Sequence, residues 1–148
     1  MNIEIAAIGH ARGAMAEPIN DYADRIRHGG KQIGISRLDI TEINTRGGEA
    51  RLAKTLAGRG FVIALEEGGQ TLSSRQFADA LQGWLDAGHS EIVFALGGAD
   101  GLGEAAAHAD FRLSLGHMTW PHILARLMLC EQLWRAVSIL TGHPYHRA

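Results

Sequence analysis

The sequence lacks a second cysteine, a long apolar run and a recognisable leader segment. Cys130 is the only cysteine, so an internal disulfide is excluded and a reducing cytoplasm is the compartment we expect. No apolar run approaches the roughly 20 residues that a membrane-spanning helix needs. The amino terminus, Met1–Ile5, lacks the basic and then apolar pattern of a signal peptide. We therefore expect a soluble cytoplasmic protein with no membrane partner.

The chain also lacks an overall positive charge, since its formal net charge is −2. Residues 1–59 carry nine basic and seven acidic side chains. Residues 60–110 carry one basic and eight acidic side chains, and residues 111–148 carry four basic and one acidic. Twelve of the 14 basic residues are arginine, whose planar guanidinium matches phosphate well. If the two ends fold together, one face is basic and suits nucleic acid. The alternative is a scattered, solvated set of surface charges.

A hydrophobic content of 46% and a length of 148 residues predict one globular domain over residues 1–148. Short apolar runs alternate with helical patterns along the whole chain. The predicted strands are 3–9, 33–40, 61–65, 92–96 and 111–115. The segment 41–48, with few apolar residues and two glycines, is predicted as a loop, and the segment 66–71 as a turn. The predicted helices begin near Met15, Glu49, Ser73 or Ser74, Glu104 and Pro121. This alternation predicts an α/β fold with a mainly parallel sheet of five to six strands and helices on both faces.

Three of the predicted strands end in chemically unusual segments: the turn 65–69, the glycine-rich loop 97–103 and the loop 115–120. In parallel sheets, ligands bind outside the carboxyl ends of the strands. The glycine order does not match the dinucleotide fingerprint or a P-loop, so neither of those sites is predicted. A merely tight glycine turn, and a loop whose Met118 and Trp120 only cap the core, are the alternatives.

The last part of the chain combines an apolar helix with a polar tail. The helix from Pro121 to about Leu140 is apolar around most of its circumference, which predicts contact with a second subunit. The tail, residues 143–147, contains two histidines, a tyrosine and an arginine. These side chains suit nucleotide clamping and proton transfer. No cysteine cluster or acid accompanies the histidines, so we expect no metal.

Three segments together resemble one known family. They are Thr119-Trp120-Pro121-His122, the helical run Glu131-Gln132-Leu133-Trp134-Arg135-Ala136 and the terminal His143-Pro144-Tyr145-His146-Arg147. They are similar to the RlmH (YbeA) family, SPOUT-class methyltransferases that use S-adenosylmethionine to modify N3 of a pseudouridine in 23S ribosomal RNA. The resemblance implies a trefoil knot in the C-terminal part of the chain. It also implies a homodimer in which the tail of each subunit completes the other's site.

The resemblance also implies roles for individual residues. S-adenosylmethionine would contact Leu65, Gly97, Leu115, Gly116, His117, Met118, Thr119 and Trp120. Substrate handling and catalysis would fall to His122, Tyr145, His146 and Arg147. Whether His122 or His146 handles the proton stays open. Two positions depart from the family pattern: Glu66 stands where Asp is usual, and Trp134 where Tyr is usual.

The ribosomal RNA that the resemblance implies as substrate is expected within the large subunit or the whole ribosome and not as free RNA, because a chain with negative net charge should bind free RNA poorly. Two other functions compete with this one. A flavodoxin-like nucleotide-binding protein would need a phosphate loop after the first strand, and the segment 10–13 is a poor match. A non-catalytic ribosome-associated module would need the arginines but no pocket at the strand ends.

Overall fold

The structure, a computed structural model, describes residues 1–147 and contains one five-stranded parallel sheet. The strands, in chain order, are β1 (Asn2–Ile8), β2 (Arg37–Ile43), β3 (Phe61–Thr71), β4 (Glu91–Leu96) and β5 (Phe111–Ser114), and they lie in the order β2-β1-β4-β3-β5. The α-helices are α1 (Ala16–Gly29), α2 (Gly48–Leu56), α3 (Ser74–Asp86) and α4 (His122–Thr141). Short 3₁₀ segments span Gly13–Met15, Gly30–Ile33 and Gly103–His108.

Alternating side chains of the strands form two separate cores, one on each face of the sheet. Ile5 and Phe94 point to the face that α1, α3 and α4 cover. Ala6 and Val93 point to the other face, against α2 and the 3₁₀ segment Gly103–His108. The predicted α/β fold with helices on both faces of a parallel sheet is therefore confirmed.

Helix α4 follows the edge strand β5 but packs on α1 and α3. Its Cys130 is fully buried, and burial raises the pKa of the thiol to about 12, as expected for a thiol in an apolar core. Between residues 1 and 147, no helix is both long and apolar enough to cross a bilayer. The trefoil knot implied by the family resemblance stays a prediction.

Two segments that we predicted as loops extend the strands. The segment 66–71, predicted as a turn, belongs to β3: its residues 66–69 bulge out, and Gln70 and Thr71 then pair with β5. The segment 41–43 continues β2 along β1. Both predictions were wrong because polar residues there have the pattern of a loop: Thr41 and Glu42 lie on the edge strand β2, and Gln70 and Thr71 pair with the edge strand β5. Pairing with the neighbouring strand decides the conformation there.

An arginine and two carboxylates join the chain near the amino-terminal ends of β3 and β4. The Arg59 guanidinium bonds Glu4 of β1 and Glu91 of β4, with Nε of Arg59 3.0 Å from Oε2 of Glu91. All three side chains are less than one third exposed. The hydrogen bonds from Arg59 lower the pKa of Glu91, although burial acts in the opposite direction. The cluster ties together three strands that are distant in sequence.

Replacing Glu91 should make stability less dependent on pH. We expect Glu91→Gln to lower the free energy of unfolding at neutral pH by about 1–2 kcal/mol, since it removes the charge that Arg59 bonds. A carboxyl with a lowered folded-state pKa contributes fully above its unfolded-state pKa of about 4.3, and this contribution is lost as pH falls through the folded-state value.

Urea unfolding between neutral and strongly acidic pH checks this expectation. The wild type should lose stability more steeply than Glu91→Gln once the pH falls below about 4.3, so that the two converge in acid. Asp79→Asn, which changes an exposed carboxylate on α3, serves as the control and should leave the profile unchanged. Parallel profiles for the wild type and Glu91→Gln would contradict the role of the cluster.

Candidate functional site

A cavity of about 460 Å³ lies at the carboxyl ends of β4 and β5 and at the bulge of β3. Its volume is in the range of small-molecule and cofactor sites. Three segments distant in sequence supply most of its wall, together with the start of α4. The lining residues are Leu65, Glu66, Glu67, Leu96, Gly97, Gly98, Ala99, Gly101, Leu102, Gly103, Ala106, Leu115, Gly116, Met118, Thr119, Trp120, His122 and Ala125. The three segments singled out in the sequence therefore meet at one cavity.

The glycine-rich loop after β4 folds tightly back on itself. A Cβ atom added to Gly97 would lie 2.3 Å from the carbonyl carbon and oxygen of Gly101. The loop is closed by a hydrogen bond from the Gly101 N–H to the Gly98 carbonyl, 3.0 Å long. Only glycine fits at position 97, because any side chain would push the backbone at Gly101 away from β4. This requirement gives the wall of the cavity its shape.

Ser114, the last residue of β5, holds the bulge of β3 next to the loop that follows β5. Its buried hydroxyl lies 3.0 Å from the carbonyl oxygens of Glu67 and Gly116. It also accepts a hydrogen bond of 3.1 Å from the Gly116 N–H. Two parts of the cavity wall that are about 50 residues apart are thus joined through one side chain.

The loop after β5 supplies five of the six cofactor-contacting residues predicted for it: Leu115, Gly116, Met118, Thr119 and Trp120. Met118 is 71% exposed and Trp120 38%, which excludes the alternative that they merely cap the core. The sixth, His117, is not among the residues that line the cavity, and its contact with the cofactor stays a prediction. The chain bends there, and the His117 residue is exposed to solvent.

Two carboxylates at the bulge of β3 line the cavity, and neither was among the predicted site residues. Glu66 is half-buried and accepts a 2.7 Å hydrogen bond from Nη1 of Arg112. The neighbouring Glu67 is exposed. Both belong to the turn 65–69 that the sequence singled out, but adjacent acids in a turn have the appearance of ordinary surface charges, so they were not named individually as site residues. Since Arg112 offsets the charge of Glu66, Glu67 is the main source of negative charge on this side of the cavity.

His122 begins α4 and lines the cavity, where it was predicted to act. Its ring lies over Gly9, the residue after β1, which has a φ of 103°. A Cβ on Gly9 would lie 3.1 Å from Nε2 of His122. A side chain at position 9 would therefore be strained in its backbone and crowded by the imidazole.

The buried Arg126, one helical turn after His122, fixes the start of α4. Its Nη1 donates to Oε2 of Glu42 (2.6 Å), and its Nη2 donates to the carbonyl of Gly9 (3.0 Å). Oε2 of Glu42 also accepts a 2.7 Å bond from the Ala11 N–H. Burial alone would raise the pKa of Glu42, but the hydrogen bonds from Ala11, Arg126 and His10 outweigh it and lower that pKa.

The tail lies far from the cavity of its own chain. The Tyr145 hydroxyl donates to Oε1 of Glu131 over 3.0 Å, and Nδ1 of His146 is 3.2 Å from Nη1 of Arg135. Glu131 is nine residues beyond His122, which is about 14 Å along the axis of α4. Arg147 is exposed. Of the four predicted catalytic residues, only His122 therefore lies at the cavity of this chain.

The part of the chain that the structure describes contains no group of three or more His, Cys, Asp or Glu side chains arranged to hold a metal ion. The tail histidines are separated by their contacts: the His143 ring packs on Trp134 at 5.0 Å between centroids, whereas His146 lies beside Arg135.

Comparisons with known proteins give the same family along the whole chain. The family model described as "Predicted SPOUT methyltransferase" matches residues 1–146. The protein named Ribosomal RNA large subunit methyltransferase H from Dinoroseobacter shibae is 48% identical, over 99% of each chain. The protein of the same name from Roseobacter denitrificans is 44% identical over the same shares.

Solved structures with low sequence identity share the fold. A probable methylase family protein from Haemophilus influenzae matches with a TM-score of 0.52 at 13% identity, covering 99% of this chain and 70% of the other. A putative methylase family protein from Neisseria gonorrhoeae matches with a TM-score of 0.51 at 16% identity, covering 99% and 87%. At such low identity these matches show the fold alone.

A side chain at position 97 should distort the tight glycine turn and with it the wall of the cavity. We expect Gly97→Ala to weaken the binding of S-adenosylmethionine at least tenfold, since the added methyl group displaces the backbone of Gly101. Isothermal titration calorimetry measures the change. Gly83→Ala on α3, where an added Cβ meets no atom within 4 Å, is the matched control and should bind normally. Unchanged affinity in Gly97→Ala would show that the ligand lies elsewhere.

Proposed function

This chain belongs to the SPOUT methyltransferase family, and we propose that it transfers a methyl group from S-adenosylmethionine to N3 of a pseudouridine in large-subunit ribosomal RNA. The observation that carries the proposal is the cavity built by three segments at one edge of the sheet. The name of the two curated relatives supports the RNA substrate, and the family resemblance of the tail supports the position of the modified atom.

The cavity suits S-adenosylmethionine in shape and in charge. Apolar side chains from all three segments, among them Leu65, Leu102 and Met118, offer a slot for a flat adenine ring. The turns at Gly97 and Gly116 leave backbone groups accessible to its edge. The Glu67 carboxylate at the bulge of β3 favours a cationic sulfonium. When bound, this cofactor supplies an activated methyl group, so no metal is needed for the chemistry.

The residues of the chain would then have two tasks, alignment and removal of the proton from the ring nitrogen. Alignment of reacting groups can supply about 7–11 kcal/mol of a barrier. A general base typically contributes a factor of about 10²–10⁴. Positioning is therefore the larger contribution, and we assign it to the cavity wall and to the tail, with Arg147 on the target nucleotide. His122 and His146 are the two candidates for the proton.

We propose that the active form is a homodimer in which each tail completes the partner's site. The tail packs beside Glu131, far from the cavity of its own chain, so one subunit does not bring both parts together. A groove on α1 and α4, lined by Leu124, Leu127 and Met128 among others, leaves apolar side chains half-buried. A second copy of the chain packed on this groove would bury them, as a symmetric dimer does.

The substrate we propose is the assembled large subunit or ribosome rather than free RNA. Phosphate neutralisation drives non-specific RNA affinity, and a chain of net charge −2 supplies little of it. Exposed arginines such as Arg12 and Arg46 follow β1 and β2 and so lie at the same edge of the sheet as the cavity. A ribosomal substrate also agrees with the cytoplasmic setting predicted from the sequence. A non-catalytic binding module would have no need for the cavity.

Loss of the protein should remove one methyl group from large-subunit RNA. We expect mapping of modified nucleotides in a strain lacking it to show one pseudouridine without its N3 methyl group. Restoring the gene should restore the mark. In vitro, intact ribosomes should be methylated at least tenfold faster than naked RNA fragments, because the fragment lacks the shape that two subunits read. Equal rates on both substrates would overturn the ribosome assignment.

Subunit mixing tests whether the tail acts on the partner. Heterodimers of Gly97→Ala and Arg147→Ala subunits, purified through two different tags, contain one intact cavity with an intact partner tail. We expect them to recover about half of the wild-type rate, whereas each homodimer stays nearly inactive. A wild-type rate in the Arg147→Ala homodimer would refute the tail assignment. An inactive heterodimer would place the tail in the site of its own chain.

A further inference from the structure

The only two tyrosines of the chain meet, although 123 positions separate them. Tyr22 lies on α1, and Tyr145 lies in the tail. Their hydroxyl oxygens are 3.1 Å apart, and their rings stand edge to face with centroids at 6.4 Å. The tail is therefore held against the first helix of its own chain, not merely attached to the end of α4.

The hydrogen bonds of Tyr145 have a defined direction. An ionised carboxylate accepts only, so the Tyr145 hydroxyl donates to Oε1 of Glu131 and the Tyr22 hydroxyl donates to Tyr145. Burial, together with the hydrogen bond to the Glu131 carboxylate, raises the pKa of Tyr145, so the phenol stays neutral. Its single proton is thus already used within the subunit and is not free to be donated to a substrate.

The same cluster includes the next residue of the tail. The Arg135 guanidinium lies 4.9 Å above the Tyr145 ring, and its Nε donates to Glu131 over 3.1 Å. Its Nη1 is 3.2 Å from Nδ1 of His146. Glu131 thus bonds both Tyr145 and the arginine that contacts His146. Arg147, the following residue, is exposed beyond this anchored segment.

We propose that Tyr22 and Glu131 are positioning residues that hold Tyr145, and through it direct His146 and Arg147 towards the partner's site. The hydroxyl of Tyr145 serves as an anchor within its own subunit and does not contact the target nucleotide. This inference rests on the proposed action of the tail in the partner's site. It assigns a function in catalysis to α1, which contributes no residue to the lining of the cavity.

Removing the two hydroxyls singly and together tests the anchor in the full-length dimer. We expect Tyr145→Phe to lower kcat on ribosomes about tenfold and Tyr22→Phe about threefold, with the dissociation constant of S-adenosylmethionine unchanged. The double variant should be no slower than Tyr145→Phe alone, because the Tyr22 hydroxyl acts only through Tyr145. Thr141→Val, which removes a hydroxyl that donates to the Val137 carbonyl of its own helix, should retain the wild-type kcat.

A direct contact between the Tyr145 hydroxyl and the RNA would give different kinetic effects in these variants. If its hydroxyl contacted the RNA, Tyr145→Phe would act mainly on KM and Tyr22→Phe would have no effect. If the two losses multiplied in the double variant, Tyr22 would act independently of the tail. Either result overturns the proposal. The melting temperature and the dimer mass of each variant show whether a slow variant is merely unfolded or dissociated.

A conservative change at Glu131 separates its hydrogen-bond acceptor from its charge. Glu131→Gln keeps an oxygen that accepts from Tyr145, so we expect kcat to fall by less than about threefold. Glu131→Leu removes the acceptor and should lower kcat about tenfold, with no further loss when Tyr145→Phe is added. Equal losses in the two Glu131 variants would attribute the effect to the charge near Arg135 and overturn the anchoring role.

Amide relaxation by NMR measures the mobility of the tail. It distinguishes the proposed anchor at Tyr145 from the proposed action of the tail in the partner's site. In Tyr22→Phe and Glu131→Leu, the order parameters of the His146 and Arg147 amides should fall, while those of the cavity loop 97–103 stay high. A looser tail at an unchanged rate would mean that the proposed function of the tail fails. A reduced rate with a tail as rigid as in the wild type would mean that the anchor fails.

Discussion

Arg126 joins the first turn of α4 to the ends of β1 and β2 through the Gly9 carbonyl and the Glu42 carboxylate. Its side chain is only 1% exposed, and a buried charge that loses its partner costs about 3–5 kcal/mol. This cost fixes the helix in one register on the sheet. His122, one turn earlier, is thereby placed over Gly9 at the edge of the cavity. The position of the catalytic candidate thus depends on a residue that does not line the cavity.

The stiffness of α4 separates the two polar regions of the C-terminal segment. His122 lies at the cavity, whereas Glu131 and Arg135 hold the tail on later turns of the same helix. A 20-residue helix does not bend enough to bring its two ends together. The proposed composite site follows from this geometry, because only a second copy can supply the missing part. The anchor at Tyr22 then sets the direction in which the tail leaves the helix.

The fold class was predictable because local patterns carry it. Apolar runs such as Phe61–Leu65 and Ile92–Leu96 are buried in a parallel sheet, and glycines separate them from amphipathic helices. The ends of β2 and β3 were not predictable, because Thr41 and Glu42 are extended through pairing with β1, and Gln70 and Thr71 through pairing with β5. The buried ion pair between Arg126 and Glu42, 84 positions apart, likewise left no pattern in the sequence.

The sequence by itself determined the helices, most of the strands, the family and most of the cavity wall, since the carboxyl ends of parallel strands meet at one edge. It indicated the turn 65–69 as part of the site but did not single out Glu66 and Glu67, which line the cavity. Only the tertiary structure placed Tyr145 on Tyr22 and Glu131, because that contact requires α1, α4 and the tail to pack together. Sequence motifs indicate which side chains belong to a site. Long-range packing decides which of them face the ligand and which hold the others in place.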